Sequence, residues 1–487
     1  MSELAAARAR HPRTFEAFAA CDEGEQLFER LVAIDRRFSA PQKSAIAVDR
    51  EGPDRAEADV DVLIAGGGLS LLHAPLLAAR GLSVAVVDRA RIGQVHRGWN
   101  ASLGELGALE RGGLVPPGDL SRFIEAKYAD GFCRWFGGGT YRVREVLDCA
   151  VDAPRLLAHT RGLAETRGVR LLDGRAFTRL SLGTGAVEAT LDDGTRIVAR
   201  LLIDATGAAS PFSKPDLLCP TVGGALRGLS IGDAPDEYRP DVGEILVTTE
   251  GVEDGHQHIW EGFPGRDSLT AYLFYYAEPH ELPPTPLADL FERFFTIRAR
   301  YKRGNAEMVR PTFGVIPGHT RLAPRRVSPA DRVLMVGDAA ARHSPLTFCG
   351  FGSMLRTFGP TCEAVARTFE RGAFDSASLE AASREPPMLS LLGALALMLT
   401  ARGVRATHGE VNELLDAAFA TLAELGEERF ARFLRDEGQP LDVVRFLAAT
   451  SRRRPAVYRE VWSSLGPRTL GRWMSNVWTS MRAADGR

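Results

Sequence analysis

The residues with the most chemical promise are one glutamate among aromatics and three widely separated glycine turns. Glu261 stands within His258-Ile259-Trp260-Glu261-Gly262-Phe263-Pro264. A carboxyl kept from water holds its proton to higher pH and can then act as a proton donor. If 256–263 is a strand, Glu261 and Phe263 share one face, His258 and Trp260 the other. The competing reading of Glu261 is an ordinary carboxylate on a solvated sheet face. Downstream, 271–277 puts Tyr272, Phe274 and Tyr276 on one face. With Trp260 and Phe263 they could line a channel for an apolar substrate, or they could simply pack a sheet. His256 and His258 alternate, but no third ligand of suitable spacing is near, so no metal is expected.

The first glycine turn follows the apolar run Asp59 to Ala65 and reads Gly66-Gly67-Gly68. Gly66 and Gly68 stand as the first two glycines of G-x-G-x-x-G, with Leu69 opening a helix. A tight turn and a bare backbone let a pyrophosphate approach the helix start. Leu71 occupies the third glycine position, which loosens strand–helix packing. Asp88 ends the next apolar strand, SVAVVD, 20 residues after Gly68, where a carboxylate can take the ribose hydroxyls of an adenosine. Two distant segments narrow this dinucleotide to FAD. Asp204-Ala205-Thr206-Gly207 follows one buried strand, and Thr206 and Gly207 can bring backbone close to the cofactor. Gly337-Asp338-Ala339-Ala340 follows another, with Pro345, Gly350 and Gly352 just downstream. Asp338 would accept from the ribityl chain, or else cap a helix. The Gly350-x-Gly352 helix start would aim N–H groups at the flavin edge that becomes negative on reduction.

These segments imply an α/β chain: a glutathione-reductase-like Rossmann FAD domain, an antiparallel β substrate domain and a helical C-terminal region. The expected parts are a helical extension over 1–58, an FAD domain over 59–215 with inserted segments, and an antiparallel domain over 216–325. The FAD domain resumes over 326–375, and a helical region with a basic, Trp-rich tail fills 376–487. Within 187–201 the turn Asp192-Asp193-Gly194 argues for a hairpin rather than a crossover. The run 388–400 is apolar but too short to span a membrane, and a buried helix is the better reading.

Composition sets outer bounds. With 45% hydrophobic and 25% charged residues, the 487-residue chain is neither disordered nor a multi-span membrane protein. Sixty basic against sixty-two acidic residues leave a net charge of -2, so nucleic acid is not an expected partner. Six cysteines without C-x-x-C, and an N-terminus without an apolar stretch, suit a reducing cytoplasm. The tail differs from the rest: from Arg452 onward, eight arginines stand against Glu460 and Asp485, a net charge of +6, with Trp462, Trp473 and Trp478 among them. That composition suits an interfacial anchor, so a cytoplasmic protein in peripheral membrane contact is expected, the alternative being a solvated arm.

Five stretches carry a family resemblance: GWNASLGEL (98–106), WEGFP (260–264), FGVIP (313–317), DRVLMVGDAAARHSPLTFCGFGSMLRTFG (331–359) and, more weakly, VNELLDAAFATLAELG (411–426). The chain resembles the flavoprotein class of p-hydroxybenzoate-hydroxylase-like enzymes, geranylgeranyl reductases and lycopene cyclases. Within it, the chain is most similar to lycopene cyclases of the green-sulfur-bacterial and cyanobacterial (Cru) type. The resemblance implies a lipophilic polyene substrate and reduced FAD acting without net redox change, with Trp99-Asn100 near the isoalloxazine. A buried Trp with a turn Asn is the plain alternative for that pair. Aromatic hydroxylases of the class carry an Asp where Thr206 stands here, and the W-x-W-x-I-P motif of flavin halogenases is missing. The rival expectations are a flavin-dependent C=C reductase or monooxygenase, and an FAD-binding relative without catalysis.

Overall fold

The structure is a computed structural model. It describes residues 3–38, 46–54, 57–94, 98–319, 326–341, 350–383 and 410–459, with scattered positions between 462 and 478. His343, Pro345 and the run 388–400 lie outside the described residues.

Near-continuous apolar runs build a parallel sheet buried on both faces. Val60–Ala65 pairs in parallel with Val84–Asp88 on one side and Arg196–Asp204 on the other. Arg170–Asp173 extends the first edge, and Val333–Met335 joins Arg196–Asp204 in parallel. Arg196–Asp204 has two roles. Its first half closes the expected hairpin with Val187–Leu191, through a turn in which Gly194 has φ +83°. Its second half belongs to the parallel sheet. Side chains of that hairpin and of Phe177–Leu182 pack on one sheet face with Leu63, Ala85 and Val333. Helices Ala153–Thr166 and Gly350–Arg371 supply the core on the other face.

The first turn after the glycines is 3-10, over Leu69–Leu72, before the helix His73–Ala78. Pro75 has no N–H to offer the Leu71 carbonyl, which removes one α-helical bond at that point. Leu71 itself is fully buried.

The second sheet has seven strands, in the order Gly304–Gly318, Leu217–Leu229, Leu269–Phe274, Ile259–Pro264, Val242–Val247, Asp130–Arg134 and Thr140–Val143. It is antiparallel except between Val242–Val247 and Asp130–Arg134. The last two strands come from within 59–215, the part expected to carry inserted segments.

The N-terminal extension is helical over Glu3–Arg10, Pro12–Ala19 and Gly24–Phe38, and it packs on the second sheet and the helix Pro286–Tyr301. Phe28, Leu31 and Asp35 recur at helical spacing on one buried face. Asp35 there accepts the amides of Leu287 and Ala288 (both 2.9 Å), capping the helix Pro286–Tyr301 from another segment. One short strand departs from the expected helical character: Ala47–Asp49 adds in parallel to the edge of the Rossmann sheet.

Helices Glu410–Glu424, Glu427–Leu434 and Pro440–Arg453 bury apolar faces against the opposite side of the substrate sheet. Among the described residues no helix is long and apolar enough to cross a membrane.

Candidate functional site

Strand pairing brings the three glycine turns to one edge. Ala65 is the register partner of Asp204, and Asp204 pairs with Met335 on its other side. The Ala205 amide donates to the Ala65 carbonyl (2.8 Å), and the Val336 amide to that of Asp204 (2.9 Å). Gly66, Gly207 and Gly337 therefore leave neighbouring strand ends. Their φ values are +113°, +63° and +57°, a region that favours glycine.

The first turn distinguishes its glycines. A Cβ at Gly66 would stand 2.5 Å from the Ala205 carbonyl oxygen, and one at Gly67 2.6 Å from Ile92 Cγ1. At Gly68 nothing lies within 4 Å of that position. Open space in front of bare backbone is what a pyrophosphate requires. Asp88 accepts the amides of Gly67 and Ala90 (both 2.7 Å), one on each carboxylate oxygen. Each oxygen keeps a further acceptor site for a ribose hydroxyl.

Thr206 turns its hydroxyl and amide onto the Asp204 carboxylate (2.7 and 3.0 Å), which also takes the Ser210 hydroxyl (2.6 Å). The side chain thus braces the turn. A Cβ at Gly207 would meet that of Asp338 at 3.7 Å, so these two turns face each other closely. Leu69, Asp88, Thr206, Gly207, Gly337, Asp338 and Gly350 all keep partial exposure. They border one strand-end edge whose bare backbone fits a dinucleotide.

Gly352 also meets a packing need. It is buried, and a Cβ there would lie 2.5 Å from Glu105 Oε1. Glu105 accepts the amide and hydroxyl of Ser102 (2.8 and 2.9 Å) and pairs with Arg356, which also reaches Asp436 (3.4 Å). This glycine makes room for a carboxylate of the protein itself. Sequence reasoning passed over Glu105, although Ser102-x-x-Glu105 is a capping-box pattern.

On the substrate sheet, alternation sorts the remaining candidates. Phe263, Phe274 and Tyr276 pack on one face, Trp260, Leu273 and Tyr275 on the other. Glu261 follows Phe263 by the period of two. Its register partner is Tyr272, whose hydroxyl accepts from the Gly98 amide (3.1 Å) and donates to the Gly98 carbonyl (3.4 Å). The next residue, Trp99, stacks on Phe351 with ring centroids 4.7 Å apart, and Phe351 follows Gly350. Asn100 donates to the Tyr128 hydroxyl (3.2 Å), which donates to the Pro264 carbonyl (2.7 Å). Two short contacts from Tyr272 therefore connect the neighbourhood of Glu261 to the glycine helix start.

Glu261 differs from the other sheltered acids. Asp35, Glu105, Asp204, Glu244, Glu250, Asp436 and Asp442 are buried and all partnered: Glu244 with Lys302 at 2.6 Å, Glu250 with Arg293 at 2.7 Å, Asp442 with Arg432 at 3.4 Å. Glu261 keeps some exposed surface yet has no hydrogen-bond or ion-pair partner among the described residues. Removal from bulk water alone pushes its carboxyl up to about 8.

Two expectations for the aromatics change. Trp260 is fully buried on the far face, stacked on Tyr301 (4.5 Å) and against Phe294 (5.2 Å), so it cannot line a site at Glu261. Phe263, Phe274 and Tyr276 occupy the expected face but are no more than 3% exposed, because the C-terminal helices cover them. They form core rather than an open channel; Tyr272 is buried too, its hydroxyl bound to the Gly98 backbone. Tyr301 also explains Gly262, since any Cβ there would run into the Tyr301 hydroxyl. His258 stands 3.4 Å from Glu250 and belongs to that ion cluster.

No family model matches the chain, and no curated protein matches it. Among solved structures it is similar to a geranylgeranyl bacteriochlorophyll reductase-like protein from Thermoplasma acidophilum. The identity is 13% and the TM-score 0.57, over 86% of this chain and 100% of that one. The halogenase PltM in complex with phloroglucinol and FAD superimposes with TM-score 0.58 at 13% identity, over 86% and 96%. The flavin-dependent brominase Bmp2, as a triple mutant, gives 0.53 at 14%, over 81% and 100%. The chain has the fold of these flavoproteins. At such identities the likeness is one of architecture.

Proposed function

We propose that this protein is an FAD-dependent lycopene cyclase of the Cru type, with Glu261 as the proton donor. One observation carries the reading: a carboxyl with no partner among the described residues, its pKa raised to about 8, lies in the central strand of the second sheet, paired in register with the tyrosine that holds Gly98. At neutral pH it is protonated, the state an alkene, a very weak base, requires of its acid. In this reading Gly66, Gly68, Leu69 and Asp88 hold the adenosine diphosphate half of FAD. Thr206, Gly207, Gly337, Asp338 and Gly350 hold the flavin half. Bound and reduced, FAD supplies negative charge beside a developing carbocation, with no net electron transfer.

The chain's own part is short. Glu261 gives its proton to the terminal C=C, the chain closes into a six-membered ring, and a neighbouring C–H proton leaves to restore the neutral acid. Substrate and product are isomers. The Trp99–Phe351 pair offers aromatic faces to the cation, and Tyr272 ties the strand beside Glu261 to Gly98, the residue before Trp99. The preference for lycopene rests on the resemblance of the five stretches quoted above.

A C=C reductase on a lipophilic chain is the second reading, favoured by the architectural likeness to the geranylgeranyl reductase-like protein. It would use the same acid together with a hydride. Anaerobic incubation of the FAD-loaded, reduced protein with lycopene separates the two. Ringed product of unchanged mass supports cyclisation; product heavier by two hydrogens, with flavin reoxidised in proportion, supports reduction. Unchanged lycopene with FAD-loaded protein overturns the cyclase reading.

A further inference from the structure

We infer that the outward side of the described residues between 441 and 478 is a docking surface for an anionic lipid bilayer, which lies along the protein rather than around it. Eleven large apolar side chains are exposed among the described residues, and six fall in this segment: Leu441, Val444, Tyr458, Trp462, Met474 and Trp478. The other five are scattered between Val48 and Val309. Tyr458, Trp462, Met474 and Trp478 are 67%, 56%, 59% and 58% exposed, a large aromatic area to leave in water. Leu441 and Val444 are one turn apart, and Tyr458–Trp462 and Met474–Trp478 are spaced i, i+4, the interval that sets side chains together on a helix.

Charge identifies the occupant. Arg445, Arg452, Arg459 and Arg468 are exposed in the same segment. Glu460 is the sole acidic residue from 443 to 478. Arg453 and Arg454 are committed to Glu424 and Glu413, and Arg445 stands 3.7 Å from Asp442, so the positive surface belongs to Arg452, Arg459 and Arg468. Trp and Tyr with interleaved Arg, where no helix of the described residues is long and apolar enough to span, is the pattern of attachment at the headgroup level. The inner side is seated: Val443, Phe446 and Trp473 pack into the same cluster as Phe263 and Phe274. The docking surface is thus the outside of the layer that covers the Glu261 face, whatever reaction occurs there.

The test uses the full chain and two kinds of vesicle, phosphatidylcholine alone and phosphatidylcholine mixed with phosphatidylglycerol. The expected result is co-sedimentation with the mixed vesicles, weakened by salt, with tryptophan emission moving to the blue. Arg452→Gln/Arg459→Gln/Arg468→Gln should weaken binding to mixed vesicles by about a hundredfold, from three lost basic side chains. Trp462→Ser/Met474→Ser/Trp478→Ser should abolish the blue shift. Both triple variants change exposed positions, and unaltered thermal unfolding confirms that each is folded. Equal recovery in the supernatant with both vesicles overturns the inference. So does unchanged binding by the Trp variant, or a wild-type dimer that the Trp variant loses without any vesicle binding.

Discussion

Glu261 and Tyr272 face each other across adjacent antiparallel strands, and their polar ends are treated in opposite ways. The tyrosine hydroxyl is held by both backbone groups of Gly98, whereas the carboxyl has no partner among the described residues. A folded chain seldom leaves a sheltered acid unsatisfied, since a nearby arginine or amide would stabilise it. Here the arrangement keeps the acid neutral.

Glu261→Gln should therefore lower turnover by about 100- to 10,000-fold, the usual range for a lost general acid, with FAD uptake unaltered. Turnover of the native protein should fall as pH rises through about 8. The linkage has a definite sign. The folded state keeps its proton up to about 8, whereas the unfolded chain releases it near 4.5, so the contribution to stability is full below 4.5 and is lost as pH rises toward 8. Gln has no proton to lose. The melting temperature of Glu261→Gln relative to wild type should climb across that window; a constant difference would refute a raised carboxyl pKa.

The glycines of the first turn should separate by substitution. Gly66→Ala meets both a positive φ and the Ala205 carbonyl, and should cost the apoprotein at least about 1–3 kcal/mol. Gly68→Val projects into empty space and should leave apoprotein stability within about 0.5 kcal/mol. Its effect should appear in FAD titrations, as an affinity weakened by about tenfold or more. Equal FAD affinity for Gly68→Val and wild type would move the pyrophosphate elsewhere.

Gly352 and Glu105 should behave as one unit. Gly352→Ala forces the Glu105 carboxylate away from its cap and from Arg356, and Glu105→Ala removes the cap at Ser102 and leaves Arg356 with Asp436 alone. Each single change should destabilise by about 2–4 kcal/mol. In the double variant the clash is gone, so its cost should fall short of the sum by about 1 kcal/mol or more. Additive unfolding energies would argue against the contact.

Trp260 should prove structural. Trp260→Ala empties a site between Phe294 and Tyr301 and should cost about 3–5 kcal/mol. Trp260→Phe retains most of the packing, and turnover per folded molecule should stay within about twofold of wild type. A large kinetic defect with normal stability would return this residue to the substrate side.

Local chemistry was legible because it depends on neighbours in the chain. The run into Gly66, the carboxylate of Asp88 at the next strand end and the strand–glycine pairs at 204–207 and 334–337 announce a doubly wound sheet from residue type and spacing. The hairpin at Asp193-Gly194 and the two-faced strand around Glu261 follow equally from turn chemistry and the period of two. By that same period Trp260 had to lie opposite Glu261.

Long-range pairing decided the rest. Nothing in residues 130–143 reveals that they join a sheet whose other strands begin at Leu217, because a strand's partner is chosen by hydrogen bonds between distant segments. Nor could the aromatic stripe at 263–276 disclose what covers it. Helices 150 residues later bury that face, since an amphipathic helix finds its apolar counterpart only when the whole chain has collapsed. Gly352 makes the same point: its sequence neighbours suggest a ligand, but its missing side chain accommodates Glu105, nearly 250 residues away. Residue order determined which groups exist and which way each strand turns them; the folded assembly alone decided which were left with space in front of them.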